Sequence, residues 1–173
     1  MTMDHLIVVA DASALINFLK IDRIDLIARH SFTFFITDHV SDEVTRHYAS
    51  QRTRLKAALE AGILREHSVE DAQDVALFGS LKKNLGSSES SAIAFASQHS
   101  YGLAIDDGKA IKVAREISKD LKIFRTSDLL YLMIKENIIN IQEADKLKQE
   151  LEIKHGFKMP FSSFANAKSG CSV

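Results

Sequence analysis

Cysteine is almost absent from the sequence, which excludes a disulfide-stabilised scaffold. The single cysteine, Cys171, lies two residues from the end of the 173-residue chain, so no intramolecular disulfide can form. Proteins of reducing compartments commonly have this composition. We interpret a thiol so close to the terminus as incidental rather than catalytic.

Long hydrophobic runs are also missing. No segment approaches the ~20 consecutive apolar residues that span a bilayer. The first residues, MTMDHLIVVADAS, lack the basic region and the longer apolar stretch of a secretory signal. We therefore expect a cytoplasmic protein that makes no membrane contact.

There is no excess of charge of either sign. The chain has 22 lysines and arginines against 23 aspartates and glutamates, for a formal net charge of -1. A protein that binds polyanions without specificity normally has a basic excess over the whole domain. Any contact with nucleic acid is therefore expected to be local.

What the sequence does contain is an alternation of apolar runs and helical periodicities. Short runs typical of buried strands occur at 6–10, 32–37, 103–105 and 121–124, each followed by a helical pattern. Apolar strands separated by helices are typical of a parallel sheet with both faces covered. The expected class is α/β, with three α/β/α layers and a mainly parallel central sheet.

One sizeable domain and a tail are expected. Residues 41–100 are mostly helical in pattern, with one short strand possible at 63–69, and resemble an insertion between strands. The only proline, Pro160, lies in a segment without helical or strand periodicity that begins at Gly156. We predict a domain over 1–155 and an irregular tail over 156–173, partly docked through its aromatic residues Phe157, Phe161 or Phe164.

Acidic residues follow two of the expected strands. Asp11 closes the run LIVVA, and Asp106 and Asp107 close LAI. Ligands of parallel sheets bind beyond the carboxyl ends of the strands, so these carboxylates are placed where chemistry can occur. The alternative is that each aspartate caps the following helix. Two adjacent carboxylates repel each other, which favours a cation between them.

Two further acids are expected near helix N-termini. Glu43 lies in DHVSDEVTRH, and Glu89 follows a Gly-Ser-Ser start among small residues that would let a substrate approach. A helix N-terminus alone would explain each acid. Together with the strand-end aspartates, they form a set of oxygen ligands without cysteine, which suits Mg²⁺ or Mn²⁺. Such ions support metal-dependent phosphodiester hydrolysis.

The order of these blocks resembles the PIN-domain ribonucleases, including the VapC-type toxins. The blocks are VVADASALINFLKIDRIDLI, VSDEV, LGSSESSAIAFA, LAIDDGKAIKVA and IFRTSDLLYLMIKENII, which together extend over about residues 5–153. No block is specific alone, but their order and spacing are. The resemblance implies an RNA substrate, a Mg²⁺ or Mn²⁺ cofactor and attack by an activated water.

The resemblance also implies the site residues. The implied catalytic acids are Asp11, Glu43, Glu89, Asp106 and Asp107, of which all except Asp106 are metal ligands. Ser13 matches a hydroxyl that would hold the first aspartate or a water. Asp128 is either a residue of a helix cap or an outer member of the site, and we favour the cap.

Histidines offer a competing interpretation of one of these acids. His39, Glu43 and His47 recur at every fourth residue and could form a zinc site on one helix face. We rank this below the oxygen site, because histidines are common on exposed helices.

Basic residues are segregated despite the neutral total. Lys109, Lys112 and Arg115 are the predicted RNA contacts, within a basic stretch over 109–125. A second stretch over 46–59 contains basic residues and no acid before Glu60. Plain solvated helix faces would explain either stretch equally well.

Other functions and partners remain open. The apolar surplus over 129–147 indicates core packing first and a homodimer interface second. If the protein is a toxin, an antitoxin protein would be a further partner.

A phospho-acceptor receiver domain is disfavoured, because its acidic pair follows the first strand, whereas here the lone aspartate comes first. A non-catalytic RNA- or protein-binding PIN-like module usually lacks some acids, and here every matched acid is present.

Overall fold

A five-stranded sheet, parallel throughout, forms the centre of the computed structural model, which describes residues 5–167. The strands are β1 (Ile7–Ala10), β2 (Thr33–Thr37), β3 (Leu64–His67), β4 (Gly102–Ala104) and β5 (Ile123–Phe124). Their spatial order is β3-β2-β1-β4-β5. The direction of winding reverses between β1 and β4, and parallel sheets bind ligands in the crevice that such a reversal leaves at the carboxyl ends.

Helices connect these strands and complete the three-layer α/β/α fold expected from the sequence. Those within residues 5–167 are α1 (Ala12–Lys20), α2 (Ile24–Arg29), α3 (Asp38–His47), α4 (Arg52–Glu60), α5 (Ala72–Leu81), α6 (Ser87–Gln98), α7 (Gly108–Ile117), α8 (Thr126–Lys135) and α9 (Ile141–His155). A short 3-10 helix, Ala49–Gln51, precedes α4.

The central strands are buried on both faces. Successive side chains of a strand point to opposite faces, yet Val8 and Val9 of β1 are both 0% exposed, as are Leu103 and Ala104 of β4. Continuous apolar runs are therefore required here, because helices cover the sheet on either side.

Two strands are shifted or shorter than expected. The strand expected at 103–105 is Gly102–Ala104, and the one at 121–124 is reduced to Ile123–Phe124. The chain stays extended beyond these bounds, since Ile105 N donates to Phe124 O at 2.9 Å. The short strand expected at 63–69 is confirmed as β3, so the helical region contributes an edge strand to the sheet.

The segment after α9 has no helix or strand, but part of it is docked. Gly156 ends α9 in the left-handed conformation, with φ of 67°, which glycine adopts without strain. Phe164 is buried, and its backbone N–H donates to Asp145 of α9 at 2.8 Å. Phe157 and Phe161 are partly buried against the core. Cys171 lies outside the described residues, and the division at 155/156 stays a prediction.

The apolar surplus of α8 and α9 belongs mainly to the core. Leu129, Leu130 and Met133 are buried, whereas Ile141 is 40% exposed. A homodimer interface on this side therefore remains a prediction. Within residues 5–167, no helix is both long and apolar enough to cross a membrane.

Candidate active site

The five expected acids lie at the carboxyl edge of the sheet or on the helices that begin there. Asp11 directly follows β1, and Asp106 and Asp107 follow β4. Glu43 is on α3, which begins immediately after β2, and Glu89 is in the first turn of α6. The residues thus surround the point where the winding of the sheet reverses.

Asp11 is buried and held by hydroxyl groups. Its Oδ2 accepts hydrogen bonds from the Ser13 backbone N–H at 3.1 Å and from Ser13 Oγ at 2.6 Å. Its Oδ1 accepts one from Ser88 Oγ at 2.6 Å. Ser13 Oγ also accepts the backbone N–H of Asp106 at 3.0 Å. Ser13 therefore joins the ends of β1 and β4, and its supporting role at the site stays a prediction.

Asp106 is directed toward the start of α8. Its two oxygens accept hydrogen bonds from the Thr126 backbone N–H at 3.0 Å and from Thr126 Oγ1 at 2.5 Å. Asn17 Nδ2 donates to it at 3.3 Å. Burial, together with the charge of Asp11, raises the pKa of Asp106, while the Thr126 bonds and the charge of Arg125 oppose that rise. The carboxylate is thus fixed by its neighbours at a partly buried position.

The Asp107 side chain has a different direction from that of Asp106. It is exposed, and its Oδ1 accepts the backbone N–H of Ala110 at 2.7 Å as the N-cap of α7. The two adjacent carboxylates therefore diverge, as the alternation of a strand predicts. The capping bond occupies one oxygen of Asp107, and a carboxylate has further acceptor capacity.

The pKa of Glu89 is affected by the other acids of the candidate site. Burial, followed by the charges of Asp11, Glu43 and Asp107, raises the pKa of Glu89, although a bond from its own backbone N–H opposes this. Acids from four separate segments therefore lie within electrostatic reach of one another. Gly86 makes room for this carboxylate, because a Cβ there would lie 2.6 Å from Glu89 Oε2.

A polar pocket of about 390 Å³ opens beside Glu43 and Glu89. It is lined by His39, Asp42, Glu43, Arg46, His47, Gly86, Ser87, Ser88 and Glu89. A larger cavity of about 660 Å³ lies along the α8–α9 connection, away from these acids. The smaller pocket is the candidate site, because two of the expected acids, Glu43 and Glu89, line it.

The donor set fits a hard divalent cation. All the candidate ligands are carboxylate oxygens, the donors that Mg²⁺ and Mn²⁺ prefer. Burial first, and then the charges of neighbouring acids, raise the pKa of Glu89, and a cation would favour its ionised form. Within residues 5–167, no three of these acids bring oxygens within 4.8 Å of one another. Mg²⁺ keeps several waters and uses few protein ligands, so a loose arrangement is compatible with it.

The zinc alternative receives no support from the geometry. His39, Glu43 and His47 line the same pocket, but among the described residues their ligand atoms do not converge within 4.8 Å. The His39 ring instead stacks on Phe78, with centroids 4.6 Å apart.

Asp128 forms a helix cap. Its Oδ2 accepts the Arg125 backbone N–H at 2.8 Å at the start of α8, which is the bond that the third helical residue contributes in a capping box. Of the two alternatives left open by the sequence, this geometry corresponds to the cap.

The predicted RNA contacts are on α7. Lys109, Lys112 and Arg115 are all exposed and recur at every third residue of the helix that begins after Asp107. Lys109 Nζ donates to Asn84 O at 2.8 Å, in the connection before α6. The basic stretch therefore starts at the edge of the acidic site.

Basic residues of the second stretch, over 46–59, form ion pairs with acids that lie outside it. Arg46 forms an ion pair with Asp42 at 3.8 Å, Arg54 with Asp22 at 3.2 Å, and Lys56 with Glu60 at 3.7 Å. These pairs favour a solvated helix surface.

Three polar residues that support the acids were missed by the sequence analysis. Ser88 holds Asp11, Thr126 holds Asp106, and the buried Asn17 donates to Thr126 Oγ1 at 3.0 Å. Thr126 could have been found, because it follows β5 at the same sheet edge. Asn17 could have been noticed as the one polar residue within the apolar pattern ALINFL of α1.

The fold and the acidic edge define an α/β/α protein with its site at the carboxyl ends of parallel strands. A family model, DUF3368, described as a PIN domain, matches residues 7–168. The chain belongs to the PIN-domain family, whose members are typically nucleases.

Other comparisons add little detail. Among solved structures, the chain is similar to a PilT N-terminus domain protein, SSO1118, from the hyperthermophilic archaeon Sulfolobus solfataricus, with 18% identity and a TM-score of 0.44. The similarity covers 72% of this chain and 90% of the other. No curated protein matches the chain significantly.

Proposed function

We propose that this protein is a metal-dependent endoribonuclease in which Asp11, Glu43, Glu89 and Asp107 hold Mg²⁺ or Mn²⁺. The observation that carries the proposal is the placement of these four acids, from separate segments, at the carboxyl edge of the sheet or on helices that begin there. Burial and the charges of the three other acids also raise the pKa of Glu89. These four carboxylates form no lysine or arginine ion pairs among the described residues, and a cation between them would offset their mutual repulsion.

The chain's own residues have distinct tasks. Asp11 is kept in one orientation by Ser13 and Ser88, and Asp106 fixes the junction between β4 and α8 through Thr126. Gly86 leaves space for the Glu89 carboxylate. Bound to these acids, Mg²⁺ or Mn²⁺ would activate water and stabilise charge on the phosphoryl group.

The proposed substrate is RNA, either single-stranded or structured. The pocket beside Glu43 and Glu89 is polar and partly open, and Lys109, Lys112 and Arg115 are exposed on α7, the helix that begins after Asp107. Cationic side chains arranged along a helix next to an acidic pocket suit contacts with the phosphates on either side of a cleaved bond.

The test is cleavage of labelled RNA with and without metal. Mg²⁺ or Mn²⁺ should be required, EDTA should abolish cleavage, and Asp11→Asn should be inactive while remaining folded. Matched single-stranded DNA serves as the substrate control. Cleavage that survives exhaustive chelation and the Asp11→Asn change would contradict the proposal.

The alternative function is a non-catalytic PIN-like module that binds RNA or protein. RNA binding without cleavage in any divalent metal would favour it. The complete set of matched acids supports the nuclease instead, because a binding module has no need for carboxylates that repel phosphate.

A more specific proposal is that this ribonuclease is a cytoplasmic toxin with an antitoxin partner. Its test is the neighbouring reading frame, where a short upstream gene ending in an amphipathic segment is expected.

The proposed homodimer is tested by sedimentation of the full chain. A monomer over the whole accessible concentration range would contradict it.

A further inference from the structure

A second group of metal-ligating side chains lies away from the acidic site. Asp71 is the N-cap of α5, Asp74 lies in the first turn of that helix, and His99 follows the C-terminal end of α6. One ligand atom from each lies within 4.8 Å of the others. Glu89 is ten residues before His99, which corresponds to about 15 Å along a helix. The two groups are therefore separate.

Both carboxylates approach the same nitrogen of the imidazole. His99 Nε2 is 3.0 Å from Asp74 Oδ2 and 3.9 Å from Asp71 Oδ2. An N–H at Nε2 can donate a hydrogen bond to Asp74 but not to Asp71, because the separation from Asp71 is too long for a hydrogen bond. A metal ion between the three atoms would satisfy all of them, and ligands of a tetrahedral zinc with bonds of about 2.0–2.2 Å lie about 3.3–3.6 Å apart.

The burial of Asp74 is an independent indication of a cation. Its side chain is only 1% exposed, and within residues 5–167 no lysine or arginine forms an ion pair with Asp74 or Asp71. A buried carboxylate is costly unless a cation compensates it. Asp74 is the buried carboxylate of the pair, whereas the Asp71 side chain is 69% exposed, so an ion could reach the group from the Asp71 side.

The surrounding rings hold the histidine in place. The His99 ring stacks on Tyr101 at 5.5 Å and meets the edge of Phe95 at 4.9 Å. His67, at the end of β3, stacks on Phe95 at 4.1 Å, and its centroid is 6.4 Å from that of His99. A second imidazole is therefore fixed beside the group. Packing of this kind orients a metal ligand before the metal arrives.

We propose that Asp71, Asp74 and His99 form a second metal site, which takes Zn²⁺ or a similar first-row divalent ion. Mixed imidazole and carboxylate donors suit such ions better than Mg²⁺. The ion would join the start of α5 to the end of α6, the helix that bears Glu89 at its other end. This site is independent of the proposed nuclease function.

The experiment uses the full chain with Asp11→Asn, so that the acidic site contributes less to the signal. Zn²⁺ affinity is measured by competition with a chromophoric chelator, and Co²⁺ is used to detect visible absorption by a low-symmetry site. Thermal unfolding is followed with and without Zn²⁺. We expect tight Zn²⁺ binding, Co²⁺ absorption and a Zn²⁺-dependent rise in Tm, with Mg²⁺ unable to compete at equal concentration.

The key variant is Asp71→Asn. Asp71 makes no side-chain capping bond, and asparagine is a good N-cap residue, so the fold should be unchanged. Its Zn²⁺ affinity should fall by at least the ~10- to 100-fold seen when residues that orient metal ligands are removed. Glu70→Gln removes the same charge from the neighbouring exposed residue and should leave affinity unchanged.

His99→Gln is the second variant, with its fold checked by circular dichroism. It should lose both the Co²⁺ absorption and the Zn²⁺-dependent rise in Tm. If Asp71→Asn and His99→Gln bind Zn²⁺ as the parent does, or if the parent shows no Zn²⁺ effect, the group is only a hydrogen-bonded Asp–His pair and the proposal is wrong.

Discussion

Ser88 Oγ donates a 2.6 Å hydrogen bond to Asp11 Oδ1 and so ties the first turn of α6 to the end of β1. The same hydroxyl oxygen accepts the Ala12 backbone N–H at 3.4 Å. Glu89 is the next residue along the chain. Through Ser88, the position of one proposed metal ligand therefore depends on that of another.

Ser88→Ala should weaken cleavage more than it weakens the fold. The change removes a donor from the buried Asp11 carboxylate, and loss of a residue that orients a metal ligand typically costs about 10- to 100-fold in activity or metal affinity. The measurement is the cleavage rate as a function of Mg²⁺ concentration. Ser97→Ala is the control, because its hydroxyl bonds only to carbonyl groups within α6. Equal rates for the two variants would contradict the role of Ser88.

Gly86→Ala should reduce activity and leave stability nearly intact. The φ of Gly86 is -68°, which alanine adopts freely, so the backbone need not move. The new Cβ would lie 2.6 Å from Glu89 Oε2, and the flexible carboxylate must move away. We expect an unchanged Tm together with a clear loss of cleavage. The control is Gly79→Ala, within α5, where a Cβ meets nothing within 4 Å.

The sequence was sufficient for the class of fold, and it indicated acids at the ends of strands, because both features depend on local pattern. Buried strands such as LIVVA are visible as apolar runs, and aspartates that follow them are visible as interruptions. The sequence could not indicate that β4 pairs with β1, which places Asp106 beside Asp11. It also could not indicate that Ser88, 77 residues from Asp11, holds that acid. Both depend on contacts between distant segments.

The metal-free protein should lose stability as pH rises through the titration of Glu89. Burial and neighbouring acids raise the pKa of Glu89 above its ordinary 4.5. The folded state therefore binds more protons than the unfolded chain between the two pKa values, and the free energy of unfolding falls as pH rises through that interval. Metal binding should reverse this loss, because it favours the ionised form.

Glu89→Gln tests this dependence. The variant should have a higher Tm than the parent near neutral pH in EDTA, by about 2–4 °C for each kcal/mol of repulsion removed. It should also show a smaller rise in Tm with Mg²⁺. Glu66→Gln, on an exposed part of β3, is the control for loss of a charge. If Glu89→Gln is destabilised in EDTA at pH 7, the acids do not repel one another as proposed.

RNA binding should depend strongly on salt although the protein is nearly neutral. Each phosphate contact on a single strand contributes about 0.7 to the slope of log affinity against log salt. In the inactive Asp11→Asn chain, Lys112→Ala and Arg115→Ala should each reduce this slope by about that amount. Lys154→Ala, on α9, is the control and should change nothing. A slope that is unaffected in all three variants would show that the α7 stretch is an ordinary solvated surface.

The last prediction separates the two adjacent aspartates by their different contacts. Asp107→Asn keeps an oxygen that can accept the Ala110 N–H, so the cap of α7 should survive. It loses the charge that acts on Glu89, and we expect nearly complete loss of cleavage with a normal circular dichroism spectrum.

Asp106→Asn should behave differently. The native carboxylate accepts bonds from Thr126 and Asn17 on both oxygens, and asparagine can accept on only one, so stability should fall. Cleavage should fall by about 10- to 100-fold, because Asp106 positions its neighbours rather than binding the ion directly. The comparison is made at equal folded fractions, with thermal unfolding measured for each variant. If Asp107→Asn is near wild type and a folded Asp106→Asn is inactive, Asp106 is the ligand and Asp107 serves only as the cap of α7.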